Sequence, residues 1–363
     1  MTALKLEEKV RHLNDVEVVL VDRNDYHQYL HLSYEIVTGV KKVSDITVPL
    51  SELLGKRKIR FFQATVERID LANKSVRTDR GILPYFGLVI ALGSEPNFFQ
   101  IKGAEENSFC VSSVEAAAQI RDKLKEILAQ RKDAKIVVGG GGFTGVELAG
   151  EIVDELRCCV TIIEGSKTLL PSWDIPEFSR KVAEVLTEMG AKLVFDKFAV
   201  EVKPDAVVLN DGSQIECSLF IWAGGVQGSH VVSESRLKTG KGNRVLINEF
   251  CEAVGFPGVY VVGDCALVVN PKTGEAFPQC IEIALQQAEI VAENLCIDVT
   301  RGERIVYVPK LSGLILAVGE RYGIGRISGV TVEGRLAQMV KRLIHLRYVY
   351  EIAGLAKVFK EAT

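Results

Sequence analysis

The apolar positions fall in short unbroken runs that read as buried β-strands, interleaved with stretches helical in composition and pattern. Ala134 to Val138 is one such run. It enters Gly139-Gly140-Gly141-Gly142-Phe143-Thr144-Gly145, then a helical stretch from Val146 to Leu156, then a second strand, Cys159 to Ile163, which ends in Glu164. Strand, G-x-G-x-x-G, helix, strand and acid in that order make the β-α-β nucleotide fingerprint in its required context. Gly140 permits the tight turn, Gly142 lets the backbone approach a pyrophosphate, and Gly145 lets the helix pack close to the strand. The phosphates then sit at a positive helix N-terminus with free N–H donors. Glu164, 19 residues after Gly145, is placed to accept the ribose hydroxyls and to repel a 2′-phosphate, which favours NADH over NADPH.

An incomplete copy of the same unit opens the chain. Val16 to Val21 reads as a buried strand ending in Asp22, and Leu4 to His12 before it reads as helix. Carrying the 24-residue spacing from Gly140 to Glu164 back from Asp22 puts the first glycine before Met1. The first strand and glycine loop of this copy are therefore expected to be missing. Two explanations stand open: a start placed too late, or a protein without this phosphate cradle, which would leave a sheet lacking its central strand. Phe86 to Ser94 and Gly258 to Asp264 read as two more strands of this unit, the second ending in Gly263-Asp264, where a carboxylate can hold a sugar-alcohol chain.

Composition narrows the class. With 363 residues, 39.9 kDa and 47% hydrophobic residues, the chain has enough core for two or three domains, and disorder is excluded. Forty-four Lys+Arg against 47 Asp+Glu give a net charge of −3, so no global basic field draws the chain to nucleic acid and no nucleic-acid partner is expected. Eight Cys without a C-x-x-C pair, and no secretory signal, read as reduced thiols of a cytoplasmic protein. No run is long and apolar enough for a membrane span, so movement of ions through a bilayer is not expected.

Taken together, these segments resemble the flavoproteins with two dinucleotide domains, and among them most closely the type II NADH:quinone oxidoreductases. The matching stretches are Val21 to His27, Ile90 to Phe99, Gly140 to Gly150, Ile221-Trp222-Ala223-Gly224-Gly225, Val261 to Ala266 and Ala284-Leu285-Gln286-Gln287. The resemblance implies an α/β fold, with two Rossmann-like dinucleotide-binding domains in a glutathione-reductase-like arrangement, plus a short C-terminal region. It implies FAD on residues 1–112 and 235–303, NADH on residues 113–234, and a C-terminal membrane-surface or dimerisation region over 304–363. The implied reaction is hydride transfer from NADH to flavin, then two electrons and two protons to a quinone. The protein would stack nicotinamide on flavin and keep the two substrate sites apart. Asp22, with Arg23, would hold the adenosine ribose of FAD and Asp264 its ribityl chain. Ala91, Gly93, Gly224, Gly263 and Ala284 are carried over as cofactor-binding positions.

Glu147, on the first turn of the fingerprint helix, is implied by the resemblance to act near nicotinamide and flavin; a carboxylate complementing a helix N-terminus is the alternative. The family's quinone-side pattern A-Q-x-A-x-Q-Q aligns on Ala284, Gln286 and Gln287, but Ile281 and Glu282 replace its first Ala and Gln. Glu282 would be a proton donor to reduced quinone if burial raises its pKa, or would mark a different acceptor. Sulfide:quinone reductases and disulfide reductases need two thiols beside the flavin; here no Cys precedes Cys110 and none follows Cys296. Cys158 and Cys159 read as core, and Cys280 is the thiol whose helix is expected to face the flavin. A nucleotide-binding protein with a degenerate flavin site is a further alternative.

His27 and His31 have the i, i+4 spacing of a helical metal pair, yet no ligand set stands around them and no metal is expected. In the tail, Thr331 to Thr363 carries six Lys+Arg and three Asp+Glu. Leu336, Met339, Val340, Leu343, Ile344 and Leu346 alternate with Arg335, Lys341, Arg342 and Arg347 at helical spacing. This reads as an amphipathic helix that lies on the inner face of the cell membrane, or packs on the body or on a second copy in a homodimer.

Overall fold

The computed structural model describes all residues except 132, 174, 272, 355, 356 and 359–363, so Lys360 and Glu361 of the charged tail lie outside the described residues. The chain forms two compact units. One comprises Met1–His27, Pro49–Glu95 and Val226–Leu311; the other comprises Gln28–Val48, Pro96–Gly225 and Ser312–Thr363.

In the second unit a five-stranded parallel sheet has the order Phe109–Cys110, Leu219–Trp222, Lys135–Gly139, Cys159–Ile163, Lys192–Val194. The central strand is flanked on both edges, with Val138 opposite Ile162 on one side and Ile221 on the other. Ile136, Val137 and Val138 are wholly buried, as a strand covered on both faces requires. The helix Phe143–Leu156 makes the crossover to Cys159–Ile163 and buries Val146, Leu148, Ala149, Ile152 and Val153. Gly145 is needed there because an added Cβ would lie 1.9 Å from the Gly140 carbonyl oxygen. The helix Val114–Gln130 is capped by Ser113, whose Oγ accepts from Ala116 N at 3.1 Å. Antiparallel layers follow at Ala199–Val202, Ala206–Leu209 and Gln214–Glu216, and at Gly313–Val318, Tyr322–Ile327 and Val330–Glu333. The C-terminal helix is Arg335–Ala353.

The compact units divide the chain differently from the boundaries drawn on sequence. Residues 28–48 and the described residues of 312–363 belong to the second unit because the fingerprint helix offers them a close face. A Cβ at Gly150 would come within 2.8 Å of Gly319 N, and three carboxylates on the same face, described below, bond to these segments.

In the first unit the parallel strands form three separate pairs, Val18–Asp22 with Ile59–Gln63, Leu88–Ile90 with Val259–Val261, and Val245–Leu246 with Ala266–Leu267. Among the described residues no strand joins the pairs into one sheet. Val66–Asp70, Ser75–Thr78 and Gly81–Pro84 make an antiparallel layer. The core gathers Ile90, Val245, Cys251, Tyr260, Val261, Cys265 and Val291. The helices Thr2–Val10 and Ile281–Thr300 pack together, with Lys5 Nζ 2.8 Å from Glu289.

Two expectations need correction. His27 lies in the short strand Tyr26–Gln28 and His31 in the 3-10 turn Leu30–Leu32, so the pair has no helical spacing; His31 Nε2 instead meets His345 Nδ1 at 2.9 Å. Cys158 is buried, but Cys159, at the start of its strand, is only partly covered.

Candidate functional site

A cleft of about 530 Å³ opens where the strands Lys135–Gly139, Cys159–Ile163 and Leu219–Trp222 end, and Gly139, Gly140, Glu164, Trp222 and Gly224 line it. This is the carboxyl end of a parallel sheet beside its central strand, the place where open α/β sheets bind ligands. Gly140 has φ +114°, and an added Cβ would meet the Ala223 carbonyl at 2.4 Å. A Cβ at Gly142 would meet no protein atom within 4 Å, so the protein's own packing does not demand glycine there, and an approaching pyrophosphate would. Gly224 is tight against the Trp222 ring, 2.8 Å from an added Cβ.

Glu164 is 8% exposed. Its Oε2 accepts from Gly141 N and its Oε1 from Ser166 N, each at 2.7 Å. Both oxygens are thereby fixed, with lone pairs left for ribose hydroxyls. The residues present fit a dinucleotide: a glycine loop open on one side, a helix N-terminus and an anchored carboxylate. Sequence reasoning missed much of the cleft wall, namely Phe99, Gln100, Lys197, Phe198 and Phe220. Phe99 and Gln100 adopt φ of +49° and +58°, a left-handed pair that non-glycine residues rarely hold and that recurs at functional sites. Phe99 closes the family-matching stretch Ile90 to Phe99, and Gln100 follows it directly.

Glu147 lies below this loop on the same helix. Its Oε1 meets Lys341 Nζ at 2.5 Å and accepts from Ala317 N at 3.2 Å. Lys341 also bonds the Tyr34 hydroxyl at 2.9 Å and stacks 4.8 Å from that ring. Burial, then Glu147, hold the Tyr34 phenol well above its ordinary value. One helical turn on, Glu151 is 4% exposed and accepts from Thr38 Oγ1 at 3.4 Å. Burial, with Glu35 beside it, pushes its carboxyl up to about 8. Asp154 completes the row by accepting from Glu320 N at 2.9 Å.

In the first unit, Asp22 ends its strand with Oδ1 accepting from Asn24 N at 2.9 Å, and the Arg23 carbonyl accepts from Gln63 Nε2 at 3.2 Å. Ala91 and Gly93 follow the end of Leu88–Ile90, with Gly93 at φ +68°. Asp264 stands at the end of Val259–Val261 after Gly263 at φ +70°, and accepts from Ser94 Oγ at 3.3 Å. Burial pushes the Asp264 carboxyl up, opposed by Ser94 and Arg244. The turn is held by Gln287, whose Oε1 accepts from Gly263 N at 2.8 Å, and a Cβ at Gly263 would be 3.9 Å from Ala284. Two strand-end carboxylates, Asp22 and Asp264, the second beside a glycine turn, fit the sugar and sugar-alcohol hydroxyls of a flavin nucleotide.

Glu282 lies in the first turn of Ile281–Thr300, partly buried. Gln286 is occupied: Nε2 donates to the Lys310 carbonyl at 2.6 Å and Oε1 accepts from Lys310 N at 3.0 Å. All eight cysteines are free. Burial pushes Cys110 to about 12 and Cys158 and Cys217 to about 11, and raises Cys280 as well.

Fold and cleft define an α/β protein that binds a dinucleotide at a parallel sheet. A family model for pyridine nucleotide-disulphide oxidoreductases matches residues 2–288, and the chain belongs to that family. A relative named type II NADH:quinone oxidoreductase, from Staphylococcus saprophyticus, is 29% identical over 386 aligned residues, covering 99% of this chain and 94% of that protein. Among solved structures, NDH2 from Plasmodium falciparum in complex with NADH is similar at TM-score 0.84 and 16% identity, covering 95% of this chain and 92% of that one. The sulfide:quinone oxidoreductase of Aquifex aeolicus is similar at TM-score 0.82 and 21% identity, covering 97% and 89%.

Proposed function

We propose that the chain is an FAD-dependent NADH:quinone oxidoreductase, a non-pumping NADH dehydrogenase. The observation that carries this is the anchored Glu164 beside an open glycine loop, in a chain similar over its length to type II NADH:quinone oxidoreductases. When bound, FAD supplies two-electron redox chemistry between NADH and quinone. Its segments are 1–112 and 235–303, with NADH on 113–234. The Gly140, Gly142 and Gly145 loop receives the pyrophosphate, Glu164 orients the adenosine ribose, and Gly224 leaves room along the cleft. Asp22 and Arg23 hold the flavin's ribose end, and Asp264 its ribityl hydroxyls. Ala91, Gly93, Gly263 and Ala284 form the close backbone around it. Glu147 supplies a carboxylate next to Lys341 for proton handling, and Glu282 and Gln286 belong to the quinone side.

Peripheral attachment is part of the proposal. No described helix is long and apolar enough to cross a membrane. On Arg335–Ala353, however, Leu336, Met339, Leu343 and Ile344 are 47–56% exposed alongside exposed Arg335, Arg342 and Arg347, which suits the inner face of a cell membrane with anionic lipid. A homodimer through this helix is the second use of the same face.

The test is direct. The full chain loaded with FAD loses the flavin's visible absorbance on mixing with NADH under argon and regains it with a soluble quinone. Retention of that absorbance with NADH, or its loss with sulfide alone, would replace this reading.

A further inference from the structure

We propose that Asp211 is a specificity-determining residue of the nucleotide cleft: by pairing with Lys197 it withholds the cation that a 2′-phosphate would recruit, so two carboxylates, Glu164 and Asp211, set the preference for NADH over NADPH. The inference rests on the reading of the cleft as the NADH site. Among the described residues that line the cleft, Glu164 and Lys197 carry charge. They are neighbours, since Lys197 N donates to the Glu164 carbonyl at 3.2 Å. If Glu164 receives the ribose hydroxyls, a Lys197 ammonium turned into the cleft would be placed to meet a phosphate on that ribose.

That ammonium is already engaged. Lys197 Nζ donates to Asp211 Oδ2, and Asp211 lies outside the cleft wall on the turn between Ala206–Leu209 and Gln214–Glu216. The turn is rigidly placed. Ser213 donates to Asp211 Oδ1 through Oγ at 2.6 Å and N at 3.1 Å. Asn210 N donates to the Phe198 carbonyl at 3.0 Å, while Phe198 N donates to Asn210 Oδ1 at 3.3 Å. Gly212 at φ +84° closes it. An exposed ion pair of this kind adds little stability; its consequence is the direction in which Lys197 points.

ADP-ribose and its 2′-phosphorylated form differ only in the group at issue, so isothermal titration of the full chain with each isolates it. The wild type binds ADP-ribose and discriminates against the 2′-phosphate. D211N gains about five- to tenfold affinity for the phosphorylated form, with ADP-ribose binding unchanged. The double variant K197Q/D211N loses that gain, and D211E restores wild-type discrimination. An unshifted D211N, or a gain that survives in the double variant, overturns the role of Asp211 and leaves the NADH reading intact. A wild type that binds neither ligand overturns both.

Discussion

Two buried glutamates of the nucleotide unit show how differently one side chain behaves according to its supply of donors. Glu164, at a strand end, receives a backbone N–H on each oxygen at 2.7 Å. Glu151, on the fingerprint helix, receives one long hydroxyl contact at 3.4 Å and has acidic neighbours. The first is a fixed acceptor, its position set by the glycine loop that supplies one of its donors. The second is a carboxyl that holds its proton near neutrality. Burial alone does not decide the role of a carboxylate; the hydrogen bonds that accompany burial do.

The sharpest way to break the Glu164 side is through its scaffold. In Gly145→Ala the new Cβ would meet the Gly140 carbonyl at 1.9 Å, and backbone must move. Expected results are a loss of about 3 kcal/mol in unfolding free energy together with loss of NADH binding, read by urea denaturation and reduced-nicotinamide fluorescence. Gly142→Ala meets nothing within 4 Å, so it keeps wild-type stability and loses binding alone. Equal destabilisation by the two substitutions would mean that Gly142 is a packing residue.

On the helix side, Lys341→Met removes the cation from Glu147, in a pair whose side chains are 17% and 13% exposed. An uncompensated carboxylate in that setting costs about 3 kcal/mol, and the C-terminal helix loosens, which limited proteolysis would reveal. Lys341→Met with Glu147→Gln recovers most of that loss. No recovery would show that the lysine acts through its stack on Tyr34 instead.

Glu151 sharpens the comparison through pH. Its carboxyl is raised from 4.5 to about 8 on folding, so between those values the folded chain binds the extra proton. The stability this proton contributes is fully present below about pH 4.5, falls as pH rises, and is lost as pH passes about 8. The size is on the order of 3–4 kcal/mol over pH 5 to 8. Glu151→Gln flattens the profile of urea midpoints across that window, and an unchanged slope would place the proton elsewhere.

The nucleotide half was legible in the sequence because each of its signals is local. Glycine spacing, the following helix and the terminal acid lie within 25 residues or so of one another, and backbone geometry does the rest. The tail helix was legible from its spacing for the same reason. What was not legible depends on distance along the chain: Lys341 meets Glu147 across 194 residues and Thr38 meets Glu151 across 113, and no periodicity records such a pair. Gln286, named by a matching motif, bonds the Lys310 backbone through both ends of its amide, a contact the motif does not record. Segments 28–48 and 312–363 fall in the compact unit of the nucleotide sheet through the same kind of long-range contact.

The smallest expected effect follows from the same physics applied to sulfur. A thiol reacts as its thiolate, and burial without cationic support opposes ionisation just as it does for Glu151. Cys280, at the head of Ile281–Thr300, is raised by burial and further by Glu282, with only backbone donors opposing. A sulfide oxidant or a disulfide reductase would need a reactive thiolate beside the flavin, whereas burial holds the Cys280 thiol protonated. Cys280→Ser is therefore expected to leave NADH:quinone turnover within about twofold, and iodoacetamide at neutral pH to modify Cys280 slowly. Rapid alkylation of Cys280 with parallel loss of turnover would place a thiolate in the electron path and move the chain toward the sulfide-oxidising class.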